Sequence, residues 1–364
     1  MINRYCFCAT AAVALCASVF GQEPIRYLAD KKLWVLDTNT TSYVFGVNER
    51  NQLQHAYWGA RLWRDADVAV VHTSPEWASF DGVASTTPSE YAGWGSNMYT
   101  EPSLKVTLAD GNRDLVLRYV SHQIQGDRLE VVTKDIQYDL FATIHYRVYP
   151  GAGIIEKHAV IENRTAQPIT IESAQAGTWY VPPGDGYRLS YLNGRWAGET
   201  QLVQEELHPG LKVLESRRGT TSHQTNPWFA IDAVEGDGSH ADEDRGRVWF
   251  GALGWSGSWR LTVEQTPHQQ VRVTGGYNTF DFAYPLNPGE RLETPPFYGG
   301  FTSNGFGEAS RMLHRFTREF ILPGGHSAKP RPVLYNSWEA TEFNVDEPRQ
   351  KALAEKAARI GVER

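Results

Sequence analysis

Apolar and polar residues alternate with a period of two along most of the chain from about residue 27 to residue 323, in short runs broken by Gly, Pro, Asn and Asp. Successive side chains of a strand point to opposite faces, so this pattern predicts half-buried β-strands. The clearest cover 115–120, 129–132, 144–148, 154–161 and 169–171, followed by 248–254, 259–263 and 271–273. Helical spacing is absent until 307–320, where Ala309, Met312, Leu313 and Phe316 make an i, i+3, i+4, i+7 stripe. Many strands without intervening helices imply antiparallel sheets packed as a sandwich. Roughly 290 residues is large for one sandwich, so its strands must be long or numerous. The acidic, Gly-rich stretch 235–247 reads as a solvated turn between strands.

The pattern changes near the C-terminus. Pro323, Gly324, Gly325 and Pro330 mark a linker. Residues 332–335 then read as a short apolar strand, followed by the polar and aromatic loop Asn336-Ser337-Trp338-Glu339-Ala340-Thr341. A helix from about Glu347 should bury Leu353, Ala357 and Ile360 on one face, with Pro348 in its first turn, where a missing N–H costs nothing. Strand, loop and helix make the opening unit of a parallel α/β fold. Barrel enzymes build their active sites from loops at the C-terminal ends of many such strands. The expected organisation is therefore 1–21 as a signal peptide, 22–322 as a β domain, 323–331 as a linker and 332–364 as the start of a barrel.

Composition narrows the setting. Arg4 precedes an apolar run from Cys6 to Phe20 that is too short to span a bilayer, and Gly21 offers a cleavage site. This pattern predicts export. All three cysteines lie in that segment, so the mature chain would carry no thiol or disulfide. No other apolar run is long enough for a membrane helix, and a net charge of −7 without a basic stripe argues against nucleic acid. Asn39-Thr40-Thr41 and Asn163-Arg164-Thr165 are glycosylation sequons, which with a signal peptide fit a secreted glycoprotein.

The candidate chemistry is aromatic. Among twelve tryptophans, Trp58, Trp249 and Trp259 sit inside strand patterns and read as packing. Trp94, Trp196 and Trp338 lie beside Gly, Asn and charged residues in loops, where a ring can stay accessible. An exposed ring flanked by carboxylates and amides suits a sugar, whose C–H face stacks while its hydroxyls take directed hydrogen bonds. Four clusters strengthen this reading: His55-Ala56-Tyr57-Trp58-Gly59; Asn193-Gly194-Arg195-Trp196-Ala197 with Glu199 nearby; the run from Arg217 through Ser222, His223 and Asn226 to Pro227; and Asn336 to Thr341. Ser222 beside His223 is not a hydrolase signature, because adjacent side chains point apart and no Gly-x-Ser-x-Gly turn is present.

At these clusters, and at Ala78-Ser79-Phe80-Asp81 and Glu90-Tyr91-Ala92-Gly93-Trp94-Gly95, the chain resembles glycoside hydrolase family 36, the α-galactosidases of bacteria and fungi. The resemblance runs from about Leu33 to the C-terminus. It implies a mainly β chain: a large N-terminal β-supersandwich followed by the first βα unit of a truncated (β/α)8 barrel. It also implies substrate contacts by Trp338 after the first barrel strand, by Trp196 reaching over from the supersandwich, and by Asp81 in a neighbouring subunit of a homo-tetramer. The implied partners are α-galactoside oligosaccharides, with no metal or cofactor. The family's retaining mechanism uses two aspartates deep in the barrel, beyond the equivalent of Arg364, so the chain as written is expected to be catalytically silent. It departs from the family pattern at Glu342, Asn344 and Gly198. The alternative is a non-catalytic carbohydrate-binding sandwich; a third reading is a non-functional fragment.

Overall fold

The computed structural model describes residues 23–364 apart from 75–77, 79, 81, 96–97, 185 and 326–328. The expected signal peptide and Asp81 therefore lie outside the described residues. The chain divides into two compact units, the first ending at Ser310 and the second beginning at Arg311.

The first unit holds the β structure. β1 (Ile25–Leu28), β2 (Leu33–Asp37), β3 (Thr41–Val47) and β4 (Leu53–Ala60) form a four-stranded meander. They are followed by β5 (Leu104–Thr107), β6 (Leu117–Gln125), β7 (Arg128–Asp135), β8 (Leu140–Tyr149), β9 (Ile154–Asn163) and β10 (Ile169–Val181). Next come β11 (Tyr187–Arg195), β12 (Gly198–Glu206), β13 (Gly210–Ser216), β14 (Trp228–Ala233) and β15 (Val248–Leu253). The last five are β16 (Trp259–Gln265), β17 (Val271–Tyr277), β18 (Tyr284–Leu286), β19 (Arg291–Glu293) and β20 (Phe297–Thr302). A ten-stranded sheet runs β12-β11-β14-β15-β20-β9-β8-β7-β6 with β19 beside β9, and a six-stranded sheet runs β13-β16-β17-β10-β18 with β5 also on β10. Neighbouring strands are antiparallel throughout.

Alternation in the sequence becomes alternation in burial. On β8, Leu140, Ala142, Ile144, Tyr146 and Val148 are buried while the residues between them are half-buried. One apolar core draws on all three sheets, with Trp34 and Phe45 from the meander, Leu261 and Val273 from the six-stranded sheet, and Ile144, Ile161 and Trp249 from the ten-stranded sheet. Each of the eight expected strands falls on an observed one. The 235–247 stretch is a largely exposed turn whose ends are tied by an ion pair between Arg247 and Glu235.

An α-helix, α1 (Gly305–Phe316), follows β20 and spans the boundary between the units. Ala309, Met312 and Phe316 are buried and Leu313 is half-buried, as its stripe predicts. The second unit then departs from expectation in two ways. Residues 332–335 are not a strand by themselves; they are an extended segment held by backbone bonds from Glu363 and Arg364 to Val333 and from Tyr335 to Arg364. An apolar run becomes a strand only through a ladder partner, and here the partner is two residues long. The helix α3 (Glu347–Arg359), which follows the short α2 (Trp338–Thr341), starts as expected, with Asp346 capping the N–H of Arg349 and Pro348 in the first turn. Its apolar face, however, contains no buried residue: Leu353 and Ala357 are half-buried and Ile360 is exposed.

Among the described residues no helix is long and apolar enough to cross a membrane. The two sequons have different fates. Asn39 is exposed in the turn between β2 and β3. Asn163 is fully buried, and its amide nitrogen donates to the carbonyls of Gln167 and Leu286, so the folded chain offers no free amide there.

Candidate functional site

Trp196 caps the hairpin of β11 and β12, where Arg195 pairs with Gly198 and only Trp196 and Ala197 form the loop. The strands approach so closely at Gly194 that a Cβ would lie 2.5 Å from the Gly198 carbonyl oxygen, which is why a residue without a side chain stands there. Ala197 takes a positive φ of 58° to close the turn and donates its N–H to the Glu199 carboxylate at 2.9 Å. Backbone hydrogen bonds from Glu199 itself and from Ala197 hold that carboxyl below its usual range. The hairpin presents the Trp196 ring to solvent at 78 % exposure.

Two of the four clusters meet here. Gly194 donates to the Gln224 carbonyl at 3.0 Å, Asn226 donates to the Leu192 carbonyl, and Asn193 bridges to Thr225. The exposed indole thus stands on a hairpin that also carries the exposed Glu199 carboxylate and is tied by backbone bonds to residues 224–226. Such a surface can stack on the C–H face of a sugar and bond its hydroxyls. Ser222 has a structural part, since its hydroxyl accepts the N–H of Gln224.

Trp338 belongs to the second unit, at the first position of α2. Its N–H is taken by the Asn336 side chain at 2.9 Å, and its ring meets Phe343 edge-on at 5.0 Å between centroids. It is 46 % exposed. The tryptophans read as packing, Trp58, Trp249 and Trp259, are buried. Trp94 is half-buried, with the cations of Lys105 and Arg113 over its ring. Among the described residues no group of three or more His, Cys, Asp or Glu could hold a metal ion.

The first cluster lies elsewhere and reveals a group that sequence reasoning missed. His55 on β4 is buried, 3.9 Å from Glu90. Glu90 in turn forms a fully buried ion pair with Lys157 of β9, Nζ to Oε1 at 2.9 Å. The ammonium also donates to the Thr178 carbonyl at 2.7 Å and the Tyr43 hydroxyl at 2.9 Å, and lies 3.9 Å from the Trp179 ring centroid. The Tyr43 and Tyr146 hydroxyls donate to Glu90. Burial pulls the Lys157 pKa down, against the pull of Glu90 in the other direction. The signal was present in the sequence: Ile155, Lys157, Ala159 and Ile161 share one face of an alternating strand, so Lys157 had to point inward.

Comparison with known proteins places these features. Residues 51–287 match the glycosyl hydrolase family 36 N-terminal domain, and residues 291–364 match Melibiase. Among curated relatives, α-galactosidase AgaA of Geobacillus stearothermophilus is 28 % identical over 93 % of this chain and 49 % of its own length. α-Galactosidase Mel36A of Lactobacillus acidophilus is 27 % identical over 93 % of this chain and 49 % of its own. The crystal structure of the family 36 α-galactosidase AgaB from G. stearothermophilus superposes with a TM-score of 0.85 at 28 % identity, covering 93 % of this chain and 49 % of that one. Variants of AgaA solved with raffinose and with stachyose superpose at 0.83, each at 28 % identity over 91 % of this chain and 49 % of the other. The chain therefore spans about half the length of the relatives it matches. With the family's N-terminal domain occupying most of its length, followed directly by the melibiase match, this chain belongs to glycosyl hydrolase family 36.

Proposed function

We propose that this chain is the N-terminal part of a retaining α-galactosidase that releases terminal α-linked galactose from galacto-oligosaccharides or galactomannan. The observation that carries the reading is the succession of the two family matches along a chain whose relatives are named α-galactosidases. The raffinose and stachyose complexes of such a relative support the substrate class. In this reading Trp338 stacks against galactose from the start of the barrel, Trp196 reaches the sugar from the sandwich, and Asp81 acts in a neighbouring subunit of a tetramer. The exposure of both indoles is compatible with those roles. The chain is exported through residues 1–21 and carries its glycan at Asn39.

Retention proceeds by double displacement, with one aspartate attacking the anomeric carbon and a second protonating the leaving oxygen. It needs two carboxyl groups about 5–5.5 Å apart. This reading assigns that pair to the half of the relatives' length that the chain does not span. The test is hydrolysis of p-nitrophenyl α-galactoside by the 364-residue chain beside a chain extended through the downstream reading frame. Activity in the extended chain alone is expected. Activity in the short chain, or in neither, overturns the assignment.

One observation favours a second reading, a non-catalytic carbohydrate-binding sandwich: the Trp196 platform is complete within the first unit. Binding of raffinose by the short chain, weakened at least tenfold by Trp196→Ala, is its expected signature.

A further inference from the structure

The hairpin that carries Trp196 is strained at its tip. Trp196 and Ala197 alone join β11 to β12. Ala197 has a φ of 58°, and three residues later Thr200 has a φ of 53°. Both lie in the left-handed region, where a Cβ crowds the backbone and a β-branched residue is rarest. A turn with positive φ at its second central residue favours glycine there, yet this one holds an alanine. Residues in such conformations persist only where their surroundings hold them.

The holding group is Glu199. Its carboxylate accepts the Ala197 N–H at 2.9 Å, from two residues further along the chain. Its own N–H and that of Ala197, then His223 and the Gly198 N–H, draw this carboxyl below its usual range. The stem of the hairpin is fixed separately. Gly194 donates to the Gln224 carbonyl at 3.0 Å, and Asn226 donates to the Leu192 carbonyl at 3.2 Å. At 78 % exposure the Trp196 indole has little packing to set its direction, so the backbone of the turn sets it.

We propose that Glu199 is a positioning residue: by holding the Ala197 N–H, it keeps the turn in its left-handed form and so fixes the direction in which Trp196 presents its ring to the sugar. That the ring meets a sugar rests on the reading of Trp196 given above. That Glu199 aims the ring does not.

The experiment is fluorine NMR of the 364-residue chain labelled with fluorotryptophan, in which Trp196→Ala identifies the Trp196 signal. Glu199→Ala should shift or broaden that signal while those of the buried Trp58, Trp249 and Trp259 stay in place, which separates a freed tip from a loosened fold. Glu199→Gln keeps a carbonyl oxygen within reach of the Ala197 N–H and should restore the signal. Ala197→Gly, added to Glu199→Ala, removes the crowded Cβ and should restore it in part. A carboxylate that acted only by touching the sugar could not be replaced in this way. In the chain extended through the downstream reading frame, Glu199→Ala should raise KM for p-nitrophenyl α-galactoside roughly three- to tenfold with kcat little changed, and both rescues should lower it again. An unchanged Trp196 signal in Glu199→Ala, or no recovery in Glu199→Gln, overturns the proposal. A displaced signal with KM unaltered in both Glu199→Ala and Trp196→Ala upholds Glu199 as the residue that aims the ring and overturns the contact between Trp196 and sugar.

Discussion

Lys157→Ala should lower the stability of the sandwich unit by about 3–5 kcal/mol, the cost of leaving one member of a buried ion pair unpaired. Both side chains are completely removed from water, and Glu90 has its remaining contacts with two tyrosine hydroxyls rather than a second cation. Without the ammonium, the carboxylate is left buried among neutral donors. The loss extends to packing, because the lysine also covers the Trp179 ring. Lys157→Met separates the two contributions, since it keeps most of the volume and removes only the charge. The double variant Glu90→Gln with Lys157→Met should regain much of the loss, because replacing both members of a buried pair is far milder than replacing one. The readout is the urea midpoint followed by tryptophan fluorescence. A destabilisation below about 1 kcal/mol for Lys157→Ala would mean that the pair is not the anchor the geometry describes.

His55 should make the sandwich acid-sensitive. Its folded pKa is held at about 3, first by burial and then by the positive charge of Lys157, whereas its ordinary value is 6.5. The unfolded chain therefore binds the proton more readily between those two values. Stability is greatest above pH 6.5 and declines as the pH falls towards 3, because the folded state must keep the imidazole neutral while the unfolded state need not. The slope approaches about 1.4 kcal/mol per pH unit inside that window, so roughly 3 kcal/mol should be lost by pH 4. His55→Gln removes this dependence and leaves that of the other groups. Urea midpoints measured from pH 7 to pH 4 for both proteins decide the matter, and parallel curves would reject the assignment.

The two predictions differ in how far the sequence foreshadowed them. Lys157 was legible in principle, since its neighbours two residues away on either side are Ile155 and Ala159, and a strand that buries those must bury the lysine between them. Its partner was not legible. Glu90 lies 67 residues earlier in the chain, and no local pattern links the two. β3 was harder to read for a different reason. All seven of its residues are buried, so it lacks the alternation that marks a strand with one wet face.

The candidate binding residues divide in the same way. The exposure of Trp196 follows from Gly and Asn around a two-residue hairpin loop, and the burial of Trp58, Trp249 and Trp259 follows from their strand positions. The meeting of Asn193 and Gly194 with Gln224 and Thr225 depends on β14 pairing with β11, a choice made between distant segments. Likewise, a sequon is three residues long, but only the packing of the Leu286 and Gln167 carbonyls against Asn163 decides that its amide is occupied.

The sequence by itself determined the mainly β character, the positions of most turns, the change of pattern after residue 322 and the family to which the chain belongs, because periodicity, turn residues and short motifs are local or ordered along the chain. Only the tertiary structure decided that Glu90 and Lys157 neutralise each other, that His55 is held uncharged by burial near Lys157 and that residues 332–335 pair with Glu363 and Arg364. Those outcomes depend on which distant segments share a ladder or a core, and the free energy of a buried charge or an extended segment is set by that partner rather than by the residue itself.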